Sequence, residues 1–159
     1  MTESETVEIS WSYNTLESLP VMEFYQLLKL RIDVFVVEQA CVYAELDDAD
    51  QSAGTLHVQG RLKDTDQLVA CARIITEDSV SDLVKVGRVA VDKEWRGRGV
   101  ARELMNDMLG HIEKNFNSSK VQLSAQTYVA GFYRDLGFGE VSGEYLEDGI
   151  PHVDMVLKK

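Results

Sequence analysis

The sequence predicts an α/β domain built on a mixed, mostly antiparallel sheet with helices on both faces. Three observations carry that prediction. Residues 54–62, 67–76 and 83–91 read as three strands in succession, parted only by Lys63–Asp66 and Glu77–Asp82, and short turns favour antiparallel neighbours. Val100, Leu104, Met108, Ile112 and Phe116 then recur every four residues, with Met105 and Leu109 alongside, which marks a long amphipathic helix. A further strand at Val121–Ala125 completes a strand–helix–strand unit, and that unit requires a right-handed parallel crossover.

The remaining elements fall around this frame. Glu8–Trp11 starts a strand. Val21, Phe24, Leu27, Leu28 and Phe35 follow Pro20 at helical spacings, so one helix or two short ones open there with Pro in the first turn. Residues 43–53 read as an acidic loop, and Val129–Leu136 as a short helix. Gly137-Phe138 turns the chain, and the tail forms a hairpin through Glu147-Asp148-Gly149.

The 159 residues suit one domain spanning 1–159, with no repeat, low-complexity stretch or linker to divide it. The longest apolar runs are five residues, Ala40–Ala44 and Leu68–Ala72, against the roughly 20 that a membrane helix needs. The acidic start Met1–Thr6 lacks the basic and apolar regions of a signal peptide. Cys41 and Cys71 have no metal-ligand spacing, so they are expected as reduced thiols in a cytoplasmic protein without a metal. Net charge is −11, with 11 acidic against 2 basic residues in the first fifty. Such a surface repels nucleic acid and anionic membrane, and attracts a cationic ligand. Residues 85–102 break the trend with a net charge of +4, an island the right size for a ligand's phosphates.

That island contains Arg96-Gly97-Arg98-Gly99-Val100-Ala101-Arg102, where a strand enters a two-glycine loop and a helix starts at once. A helix N-terminus offers unpaired N–H groups and the positive end of a dipole. Glycines let those groups converge on an anion, and arginines add charge. A pyrophosphate is therefore expected at Gly97–Arg102. No Gly-Lys pair exists for a P-loop, and a dinucleotide G-x-G-x-x-G would need glycine where Arg102 stands.

Arg96–Ala101 resembles the [Q/R]-x-x-G-x-[G/A] acyl-CoA signature of the GNAT superfamily of N-acetyltransferases. Ala130–Phe138, with Tyr133 ahead of Gly137-Phe138, resembles a second segment of that family, and the element order matches its fold. Leu30-Arg31, Val34–Gln39, Ala72-Arg73-Ile74 and Glu147–His152 are similar to its ElaA-like branch.

The resemblance implies a sheet splayed at a central V between the strands at 84–91 and 121–125. It places the pantetheine of acetyl-CoA against the backbone of Val89, Ala90 and Val91, near Gln126 and Phe132, and the pyrophosphate on Arg96, Gly97, Arg98, Gly99, Val100, Ala101 and Arg102. An N–H near Val89 would stabilise the oxyanion, and Tyr133 would protonate the departing sulfur. The reaction implied is direct attack of a primary amine (a small amine, a peptide N-terminus or a lysine) on acetyl-CoA in a ternary complex. The alternative is a CoA-binding regulatory module with little turnover. A base must deprotonate the amine, and Glu38, Glu45, Asp47, His57, Glu77 and His152 are the candidates. His111 reads as a surface residue. The protein is expected as a monomer or homodimer.

Overall fold

The computed structural model describes residues 7–76, 82–116 and 120–158. Its eight strands are β1 (Ile9–Asn14), β2 (Thr55–Leu62), β3 (Leu68–Thr76), β4 (Leu83–Val91), β5 (Lys120–Gln126), β6 (Phe138–Glu140), β7 (Tyr145–Glu147) and β8 (Ile150–Leu157). They form one sheet in the order β1-β2-β3-β4-β5-β8-β6, with β7 paired to β8. Only β4 and β5 run parallel, as the crossover through helix α2 (Val100–Asn115) demands.

The sheet is covered on both faces. On one, Leu104, Met105, Met108 and Ile112 of α2 share a core with Ile74, Val84, Val86, Val121, Leu123 and Met155. On the other, Leu27 and Leu30 of helix α1 (Val21–Ile32) and the following Val34 pack on Cys71 and Ala90. Helix α3 (Ala130–Asp135) adds Ala130 and Tyr133 to the first core.

Four details depart from the sequence reading. Pro20 is the residue before α1, at ψ 141°, not inside its first turn; it supplies a fixed φ and its carbonyl accepts from Phe24 N–H at 3.0 Å. The helix then continues without a break as a π-helical turn over Asp33–Glu38, closed by Cys41 N–H donating to the Val36 carbonyl at 3.2 Å. The acidic loop contains a 3₁₀ turn at Asp48–Gln51. Phe138, expected in a turn, begins β6 and pairs with Leu157. In the β7–β8 hairpin both central residues, Asp148 and Gly149, have positive φ (50° and 78°), which matches the twist of the flanking strands.

Candidate active site

The site begins where the sheet comes apart. Leu83–Val86 of β4 pair with Lys120–Leu123 of β5, and pairing stops there although both strands continue. Across β3, Cys71 faces Ala90 while Arg73 faces Gly87, so Arg88 and Val89 together oppose Ala72. This is a bulge, with Arg88 at φ 51°. It reverses the alternation of side chains along β4. Val84 and Val86 point into the α2 core, whereas Ala90 lies in the α1 core and Arg88 reaches the loop beneath α1. Residues 87–91 thus present to β5 a strand edge with no strand partner. One of its acceptors, the Val91 carbonyl, receives Arg96 Nε at 3.1 Å.

A loop and helix end stand directly beyond β4. Gly97 (φ 76°) and Gly99 (φ 80°) are left-handed and exposed, and no atom lies within 4 Å of where a Cβ would sit on either. The first helical bond of α2 runs from Glu103 N–H to the Gly99 carbonyl at 3.1 Å, so the N–H groups of Val100, Ala101 and Arg102 have no partner in the helix. Arg98 stacks over Trp95 at 4.6 Å and Arg102 over Phe132 at 5.9 Å, and neither makes an ion pair among the described residues. Arg96 differs from them: both of its terminal nitrogens bond the Glu38 carboxylate. Unpaired N–H groups, two left-handed glycines and two uncommitted guanidiniums fit a pyrophosphate.

The α1 face carries a largely buried ion network. Arg31 of α1 donates to Glu45 (2.7 Å) and Asp50 (2.8 Å), and Arg73 of β3 to Asp47 (2.7 Å) and Asp50 (3.0 Å). Arg88 donates to Glu45 at 3.0 Å and lies 3.6 Å from Asp47, and the Tyr43 hydroxyl bonds Glu45 as well. Burial alone would raise the Asp50 carboxyl, but the hydrogen bonds and charge of Arg31, with help from Arg73, bring it down to about 2. The Arg73 hydrogen bonds likewise hold Asp47 below the usual carboxylate range.

The candidate bases are therefore in very different situations. Glu45 and Asp47 are held by arginines, and a hydrogen bond from Arg96 lowers the Glu38 carboxyl. His57 is fully buried, its Nε2 2.9 Å from the Asp50 carbonyl; burial keeps it neutral and lowers its pKa. Glu77 lies outside the described residues. His152 sits opposite Gln126 in the β5–β8 register, with Nδ1 2.7 Å from the Ile150 carbonyl and Nε2 3.5 Å from Glu147. Gln126 itself donates to Gln39 at 3.2 Å, tying the end of β5 to the segment after α1.

Tyr133 is packed edge-on between Phe132 (5.1 Å) and Phe138 (6.0 Å), and burial pushes its phenol up to about 12. It stays protonated at neutral pH and holds a proton to give. His111 stacks on Tyr13 at 3.8 Å on the far side of α2, part of a cluster with Asp107. The Cys71 thiol is raised to about 12 by burial. Residue types and spacing did not reveal that Arg31, Arg73 and Arg88 would converge; the three lie in separate elements.

Comparison with known proteins finds similar sequences and a similar fold. The family model described as an acetyltransferase (GNAT) domain matches residues 30–159. A UPF0039 protein of Schizosaccharomyces pombe is 42% identical over 151 residues, covering 94% of this chain and 97% of its own. Protein ElaA of Escherichia coli is 39% identical over 147 residues, 92% of this chain and 95% of its own. The crystal structure of that ElaA superposes with a TM-score of 0.87 at 37% identity, over 95% of this chain and 100% of its own. An acyl-CoA N-acyltransferase structure from Pseudomonas aeruginosa also gives 0.87, at 35% identity and the same coverage.

Proposed function

The chain belongs to the GNAT acetyltransferase family, and from that premise we propose that it transfers the acetyl group of acetyl-CoA to a primary amine by direct attack in a ternary complex. One observation carries the reading: the unpaired edge of β4 runs into the unpaired N–H groups of α2. A ligand with an amide-bearing arm and a pyrophosphate finds both partners in one line. Backbone groups of Val89 and Ala90 bind the arm, and Gly97–Arg102 bind the phosphates, with Arg98 and Arg102 supplying charge. Arg96 acts at one remove, holding Glu38 and the Val91 carbonyl. Gln126 and Phe132 flank the arm.

The Val89 N–H, turned by the bulge, stabilises the oxyanion that forms as the amine adds to the thioester. Tyr133 gives its proton to the leaving sulfur. Glu45 and Asp47 organise the acceptor face through Arg31, Arg73 and Arg88 and leave proton removal to another group. An amine with a pKa near 10.4 is neutral in only on the order of one molecule in a thousand at pH 7, so such a group is needed.

Calorimetric titration with acetyl-CoA, followed by thiol release with pooled small amines, peptides and lysine-bearing proteins, tests the reading. Saturable micromolar binding displaced by CoA, and release that depends on one amine pool, are expected. A folded protein without acetyl-CoA affinity overturns it. Binding without release from any pool favours a regulatory module instead.

A further inference from the structure

The group that takes the acceptor's proton is still unassigned, and the environment of His152 singles it out. Val121, Leu123 and Ala125 of β5, and Val153 and Met155 of β8, belong to the core under α2. By alternation their neighbours Gln126 and His152 project from the opposite face, the one that α1 covers. The Gln126–Gln39 bond confirms that placement. Gln126 ends β5 at the open seam, and His152 is its direct cross-strand partner, so the two side chains stand about 5 Å apart at Cβ.

The imidazole is also oriented. A carbonyl oxygen can only accept, so the 2.7 Å contact with Ile150 O requires a proton on Nδ1. Nε2 of the neutral ring is then a bare lone pair, and the Glu147 carboxylate lies 3.5 Å away. The carboxylate stands where it can accept from Nε2–H once that atom has taken a proton. Tyr145 of β7 stacks at 6.1 Å on the ring and gives its own hydroxyl proton to Asp154 at 2.6 Å, so it does not compete for Nε2. Cys41, on the segment after α1, is committed to the Asp148 carbonyl at 3.5 Å. Among the described residues, the other candidate bases, Glu38, Glu45, Asp47 and His57, are paired with arginines or fully buried.

Resting on the acetyltransferase reading, we propose that His152 Nε2, directly or through one water, is the general base for the amine acceptor, with Glu147 and the Ile150 carbonyl as its positioning groups. One proton passes from the acceptor ammonium to Nε2, giving imidazolium and neutral amine. The amine lone pair forms the C–N bond as the carbonyl π pair moves to oxygen. When that pair returns, the C–S bond breaks and its electrons leave on sulfur, which takes the Tyr133 proton. The second proton, shed by the new amide nitrogen, restores the Tyr133 phenol. The imidazolium then releases the first proton to water, so one ammonium ion and one thioester give one amide, one thiol and one proton.

Two measurements test this. Nitrogen-15 spectra of histidine-labelled protein, assigned with His152→Gln, read the tautomer without any acceptor: protonated Nδ1 and bare Nε2 are expected, and a neutral ring protonated at Nε2 overturns the assignment. With acetyl-CoA and whichever amine pool supports thiol release, His152→Gln should lower turnover at neutral pH at least 100-fold while acetyl-CoA affinity stays within about twofold. Its residual kcat/KM should climb tenfold per pH unit, following the neutral fraction of the amine. Glu147→Gln, at a half-exposed position that does not threaten folding, should lower kcat about tenfold while KM for acetyl-CoA stays within about twofold. Wild-type turnover and an unchanged pH profile in both variants overturn the proposal and leave the acetyltransferase reading standing. A wild type that binds no acetyl-CoA overturns both.

Discussion

The two faces of the sheet solve the problem of holding charge in opposite ways. On the α2 face, a stretch of seven residues, Arg96–Arg102, presents backbone N–H groups and guanidiniums to solvent, with glycines whose conformation leaves room for an anion. On the α1 face, three arginines from α1, β3 and β4 meet three carboxylates from one loop, and four of the six groups, Arg31, Arg73, Glu45 and Asp50, are buried. The first arrangement is open to solvent. The second is complete in itself, and its three cations and three anions leave no charge over. An open site can be removed with little loss of stability, whereas a closed network fails as a unit.

The largest effect should follow from breaking the closed side. Arg31→Ala removes the buried cation that Glu45 and Asp50 share, leaving them Arg88 and Arg73, and should destabilise the fold by about 3–5 kcal/mol in a denaturant titration. A loss under about 1 kcal/mol would mean that the network is solvated. Tyr133→Phe, next in size, removes a proton and keeps the ring, so turnover should fall about 100-fold, roughly 2.7 kcal/mol, with acetyl-CoA affinity and stability unchanged. Equal turnover in the variant would remove Tyr133 from the chemistry.

Acid sharpens the contrast. Asp50 has a depressed pKa in the folded state, about 2 against 3.8, so its contribution is present in full above pH 3.8 and is lost as pH falls through about 2. That loss should be about 2 kcal/mol, and His57, kept neutral by burial, adds to acid sensitivity from the ordinary histidine range downward. Neutralising the carboxylate in Asp50→Asn should flatten the carboxylate part of a stability-versus-pH curve; an unchanged curve would place the acid response elsewhere. The smallest effect belongs to the open side. Gly99→Asp puts a negative charge and a Cβ at a left-handed position, and should weaken acetyl-CoA at least tenfold, about 1.4 kcal/mol, in calorimetry. Unaltered affinity would move the phosphates away from this loop.

Legibility followed the same division. The two-glycine loop ahead of α2 could be read because its pattern is local: a strand, two glycines and a periodic helix lie within thirty residues. Strand spans and the parallel crossover were readable for the same reason. The network was not, since nothing in Ala72-Arg73-Ile74 or Leu30-Arg31 says that the two guanidiniums will share Asp50. Glu45 and Asp47 consequently looked like free carboxylates. The bulge at Arg88 was hidden too, because a one-residue slip leaves an alternating pattern that an unbroken strand would also produce. Likewise the π-helical turn keeps the apolar content of a helix and changes only its phase.

The parted seam between β4 and β5 has a consequence for the protein's life in solution. A sheet ordinarily carries its loose ends at its two borders, where other chains can add to them. Here a third, inward-facing border lies in the middle of the sheet, closed at one end by the Leu83–Val86 pairing. Whatever narrow molecule lies along it becomes, in effect, a ninth strand. Occupancy and folding are then linked equilibria, and melting temperature becomes a gauge of how much ligand surrounds the protein.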